Sequence, residues 1–125
     1  MNQVLRINFE SEIALAKWLI HDGRISEAFS HLERAHVLGQ GDAVMHVRSH
    51  WLMFRAEIQR RQIVAALGQL LRIVLGAIGS AVGKVPVGNT GGSDISMFKR
   101  MPVAPELQRI IDGIPPDRPK SGFPQ

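Results

Sequence analysis

The sequence predicts an all-α protein: two stacked antiparallel helical hairpins, covered by an extended Gly/Pro-rich arm and one short helix. Three observations carry that reading. Apolar residues recur at spacings of three and four through most of residues 11–73, the period of a helix with one buried face. Asp22–Gly23 and the Gly39–Gly41 stretch cut that pattern into helix-sized pieces. Beyond residue 83, Pro, Gly and Asn are too frequent for another long helix.

Taken in order, residues 1–8 read as a short lead, extended at Val4–Ile7. A first helix starts near Ser11, which caps it, and runs through Ala14, Leu15, Trp18 and Leu19 to the Asp22–Gly23 turn. Ile25–Leu38 forms the second, its face marked by Ala28, Phe29, Leu32 and Ala35. The third, Asp42–Arg60, has the cleanest periodicity, with Val44, Val47, Trp51, Phe54 and Ile58 in one stripe and Asp42 as cap. A fourth begins at Gln62 and continues through Ile63, Ala66, Leu70 and Ile73, then loosens into GAIGSAVGKVP. Glycines 76, 79 and 83 each weaken a helix by about 1 kcal/mol relative to alanine, unless they permit close contacts.

Residues 85–104 then read as an arm laid over the helices, anchored by Val87, Ile95, Met97, Phe98 and Met101. Pro105 opens a short helix, PELQRIID, which Gly113 ends. Residues 1–113 thus make one domain including the arm, and 114–125 a disordered tail. A weak internal repeat underlies the two hairpins. Ala28, Leu32 and Ala35 resemble the small, large and small core positions of a tetratricopeptide repeat, and Ala66, Leu70 and Ile73 recur about 38 residues later, against the usual 34.

Composition excludes several classes. A chain of 125 residues buries a sufficient core without disulfides or metal. With no cysteine there is no thiolate or redox chemistry, so any metal must be held by His, carboxylate or backbone oxygen. MNQVLRINFESEIALAKW lacks the unbroken apolar run of a signal peptide, which points to the cytoplasm. Ile63–Val82 is the most apolar stretch, but Gln69 and Arg72 interrupt it and make a buried helix the better reading than a membrane span. The net charge of +4 is concentrated in Arg48, Arg55, Arg60, Arg61, Arg72 and Lys84, opposed in that span only by Glu57. No aromatic interleaving or nucleic-acid motif accompanies these cations, so a protein partner or a second copy of the chain suits them better than nucleic acid.

HLERAHVLGQ at 31–40, HVRSHW at 46–51 and VPVGNTGG at 85–92 together resemble a family of small bacterial proteins catalogued as domain of unknown function 3703. The resemblance spans roughly residues 10–104. It implies that these segments belong to one unit and implies no reaction.

All five histidines lie between His21 and His50. On the third helix His46 and His50 are four residues apart, about 40° round the axis, within reach of one ion. Glu33 and His36 share a face of the second helix, in the Glu-x-x-His spacing of carboxylate-bridged metal bundles, where the pair occurs twice. Here it occurs once, so a two-metal site needs a second subunit. A tight turn between the helices sets His36 against His46 and favours His36, His46 and His50 as ligands, with Glu33 as a fourth ligand or an orienting group. His31 is also in range by sequence, but about 140° of helix separates it from His36. A second candidate is the loop VGKVPVGNTGGS, where the N–H groups of Gly88, Asn89, Thr90, Gly91 and Gly92 can form an anion nest, although the phosphate-loop order GxxxxGK[ST] is absent.

No nucleophile, base and oxyanion donor are grouped in a recognised pattern, so the sequence offers no catalytic residue. The expected function is non-catalytic binding of a divalent transition metal, whether zinc, nickel, cobalt, copper or iron, by a histidine cluster between the second and third helices. A tetratricopeptide-like interaction module with structural histidines is the first alternative, and a metal-dependent enzyme the second.

Overall fold

A computed structural model of the chain describes residues 2–81, 91–93 and 100–117. It contains α1 (Gln3–His21), α2 (Ile25–Gly39), α3 (Ala43–Gln59), α4 (Ile63–Ala81) and α5 (Pro105–Ile111), with no strand among the described residues. Each of the first three helices packs against the next, and α5 lies across α1 and α2. The predicted all-α class and its paired helices are therefore what the chain adopts.

The predicted lead is instead the first two turns of α1. Asn2 is the N-cap, its Oδ1 accepting from the Leu5 N–H at 2.6 Å, and its Nδ2 donates to the Ile111 carbonyl of α5 at 3.1 Å. Phe9 is fully buried ahead of the expected start at Ser11, and Phe9, Ile13, Ala16 and Ile20 continue one face. Leu15 and Trp18 point to solvent.

In α2 the expected face is the observed one: Ala28, Phe29, Leu32 and Ala35 are all buried in the main core. A turn at residues 40–42 leads to Asp42, whose Oδ1 accepts from the Met45 N–H at 3.0 Å and caps α3.

The predicted stripe of α3 faces the wrong way for a core. Val44, Trp51 and Ile58 are exposed, whereas Met45, His46, Ser49, His50, Leu52, Met53, Ala56 and Glu57 are buried. Packing against both α2 and α4 gives this helix two buried rows. One is mainly apolar, Met45, Ser49, Leu52 and Ala56, and the other carries the histidines, Met53 and Glu57. Polar groups can occupy an inward row where each finds a partner, and that possibility defeats a reading by hydrophobic period alone.

The expectations for α4 also need two corrections. It does not loosen at Gly76 but remains helical to Ala81. Nor is it a buried helix: Ala66 and Gln69 are buried, while Ile63, Val64, Leu67, Leu71 and Val74 are exposed. Among the described residues, α4 has α3 as its only packed helical neighbour. The repeat is correspondingly unequal, since Ala28, Leu32 and Ala35 are fully buried but Leu70 is 36% exposed.

The short α5 has Pro105 in its first turn and buries Leu107 and Ile110. Of the arm, Gly91–Ser93 and residues 100–104 are described, with Gly91 and Gly92 buried and Val103 packed on the core. Val87, Ile95, Met97 and Phe98, and residues 118–125 of the tail, lie outside the described residues. No described helix is long and apolar enough to cross a membrane.

Candidate metal centre

Three histidines, one on α2 and two on α3, converge beside α4. The close approach of α2 and α3 brings His36 Nε2 to 2.9 Å from His46 Nε2 and 3.0 Å from His50 Nε2. All three residues are buried. Among the described residues they form the one group whose ligand atoms lie within 4.8 Å of one another. Metal–nitrogen bonds of about 2.0–2.1 Å would place two such nitrogens about 2.9 Å apart at a right angle and about 3.4 Å apart at the tetrahedral angle. The observed spacing fits that range at its lower end.

The remaining walls are built by groups that periodicity does not reveal. On α4, Gln69 Oε1 stands 2.7 Å from His50 Nδ1. Its amide can point only one way, because Gln69 Nε2 donates to the Gly91 carbonyl at 3.1 Å, an oxygen that can only accept. His50 must therefore donate from Nδ1, which leaves Nε2 with a lone pair aimed at the cluster. Arg72 Nη1 donates to the carbonyls of Gly91 and Gly92 at 3.0 and 2.7 Å. Ser93 Oγ donates to Glu57 Oε1 at 2.9 Å, and Arg60 Nε donates to Glu57 Oε2 at 2.9 Å. The fully buried Glu57 carboxylate is thus neutralised by Arg60 and connected through Ser93 to Gln69.

Two glycines give the rings room. A Cβ on Gly76 would lie 2.9 Å from His46 Cε1, so the α4 backbone packs directly on that imidazole. Gly91 has φ +71, and a Cβ there would lie 2.6 Å from His36 Cδ2. Position 91 is thus restricted twice, by conformation and by contact.

Burial favours neutral rings. It lowers the His46 pKa from the usual value. His50 falls to about 4, chiefly through burial, which outweighs the opposing hydrogen bond to Gln69, while His46 and Arg72 lower it by smaller amounts. Neutral imidazoles are the form that binds metal.

The other predicted site residues fall elsewhere. His31 Nδ1 pairs with Glu12 Oε2 at 2.6 Å, and Arg34 Nε donates to the other oxygen of Glu12 at 2.8 Å, so His31 helps join α2 to α1. Glu33 packs against Gly92, beside the cluster rather than in it. Of the proposed anion nest, Gly88, Asn89 and Thr90 lie outside the described residues, while Gly91 and Gly92 turn carbonyl oxygens toward Arg72. The signal that could have revealed Gln69 and Arg72 was their position in the most apolar stretch, where a polar side chain needs a reason.

A family model described as a protein of unknown function, DUF3703, matches residues 3–111. The chain belongs to the DUF3703 family. The matched span of this DUF3703 protein runs from the first residue of α1 to the last of α5 and includes the whole histidine cluster. No curated protein and no solved structure matches the chain.

Proposed function

We propose that this DUF3703 protein binds one divalent transition metal through His36, His46 and His50, in a sensing, storage or handling role in the cytoplasm. One observation carries the reading: three buried imidazole nitrogens meet at 2.9 and 3.0 Å with too few protons to satisfy them. His50 offers a lone pair. If His36 Nε2 also offers a lone pair, the two repel. If it carries a proton, that single proton must serve both His46 and His50. Protonating the cluster is resisted by burial at His46 and His50. A cation on the Nε2 side can be shared by all three lone pairs at once.

Zinc, nickel, cobalt, copper and iron all accept imidazole ligands. Three protein ligands leave at least one coordination position for water or a further group, which is also the ligand count of catalytic zinc sites. A metal-dependent enzyme is therefore the second reading.

The test is elemental mass spectrometry on the full chain, purified without a polyhistidine tag, beside the His46→Ala/His50→Ala double variant. Near-stoichiometric metal in the parent and none in the folded variant is the expected result. A metal-free parent whose melting temperature ignores added zinc, nickel, cobalt and copper would reduce the cluster to a packing motif.

A further inference from the structure

We infer that the outer face of α4 is a self-association surface, occupied by α4 of a second copy of this chain in antiparallel orientation. The inference is independent of the metal reading. Ile63, Leu67, Leu70, Leu71, Val74 and Ile78 are each between 36% and 59% exposed. At 100° per residue they occupy one strip about 100° wide on the side of α4 away from Gln69. Ile63, Leu67, Leu70 and Val74 follow at steps of four, three and four, as do Leu67, Leu71, Val74 and Ile78. Those steps suit helix–helix packing at a shallow crossing angle.

The strip is also symmetric along its length. A twofold axis across α4 between Leu70 and Leu71 sets Leu70 against Leu71, Leu67 against Val74 and Ile63 against Ile78 of the other copy. An isologous contact requires that property, because each residue that touches another must be touched in return. Every member of each pair is a large aliphatic side chain, and none carries a charge that would repel its mate.

The size is adequate. With Val64 and Leu75 on its flank, the face presents roughly 800 Å² of apolar surface per copy, about one partner's share of a standard stable interface. Patches of this size on a lone soluble chain mark an interaction site. A lipid surface would be better served by cations along the rim of the helix. The one cation of α4 is Arg72, and its Nη1 is directed to the carbonyls of Gly91 and Gly92.

The experiment measures the solution mass of the full untagged chain by light scattering at high micromolar concentration, with Leu71→Glu and Leu71→Lys alongside. Leu71 is half exposed, so either charge leaves the packed side of α4 untouched, and far-UV circular dichroism checks that the helices persist. The parent is expected at twice the 13.8 kDa chain mass. Each variant alone should lose the dimer, because like charges would meet near the axis. An equimolar mixture of the two should recover it, as opposite charges then face each other. A monomeric parent, or a dimer that survives both variants separately, would overturn the inference. So would a monomeric parent that instead binds vesicles of anionic phospholipid, which would assign the face to a membrane surface.

Discussion

At the scale of single residues, Gln69 is the group on which the character of the cluster depends. Its carbonyl oxygen holds the Nδ1 proton of His50 and so keeps Nε2 available. Gln69→Leu should lower metal affinity by roughly 10–100-fold, the usual cost of losing a partner that orients a ligand. Gln69→Glu, which retains an acceptor at the same place, should recover much of that loss. Competition titration against a coloured chelator reads both, with circular dichroism confirming the fold. Proton linkage gives a second residue-scale expectation. His50 titrates near 4 in the folded chain and near 6.5 when unfolded, so between those values the unfolded chain binds more protons. The stabilising contribution is complete above pH 6.5 and disappears as the pH falls towards 4, at about 3 kcal/mol for the full shift. Urea denaturation of the metal-free protein at pH 7 and pH 5 should show the decline. A midpoint that is unchanged or higher at pH 5 would contradict neutral burial of the ring.

At the scale of elements, turns and caps were largely legible and burial was not. Residue type and place mark Asp42 as the cap of α3, and its Oδ1 accepts the Met45 N–H. Asp42→Ala should cost about 1 kcal/mol in chemical denaturation, a loss confined to the cap. Asn2 is the same kind of signal, a capping residue at the start of a stretch whose apolar pattern alone suggests an extended lead where α1 already runs. The failure on α3 has a different origin. Its apolar stripe is real, but the row beside it holds side chains that satisfy one another, and pairing between helices is invisible in a one-dimensional pattern. His36, His46 and His50 were singled out by turn geometry and helical spacing, and the structure brings those three together. The parts that Gln69, Gly76 and Gly91 play in the cluster are not legible in this way, because their contacts span 19 to 55 positions of chain. Gly91→Ala provides the corresponding test. It places a methyl group against the His36 ring at an unfavourable backbone conformation, and should weaken metal binding together with stability, by about 1–3 kcal/mol for the latter.

For the whole molecule, the proposed metal binding would couple occupancy to folding. Three helices and the Gly91–Ser93 segment must be in place before the site is closed. A metal that binds only the folded chain at 100 times its dissociation constant adds about 2.7 kcal/mol to stability. For a domain of this size that is a rise of roughly 6–15 °C in Tm. The rise should disappear in His46→Ala and in His50→Ala. A shift that survived both would place the binding elsewhere on the chain.

The arrangement also bears on how the protein is made. The three converging nitrogens belong to residues only 14 positions apart, on two helices joined by a three-residue turn. Contacts so local in sequence form early and fast. During synthesis the triad can therefore assemble before Gln69 and Gly91 reach it, and the later part of the chain closes over three histidines already in place. On the metal reading proposed above, α2 and α3 would govern capture, and α4 with Gly91–Ser93, made later, would govern retention.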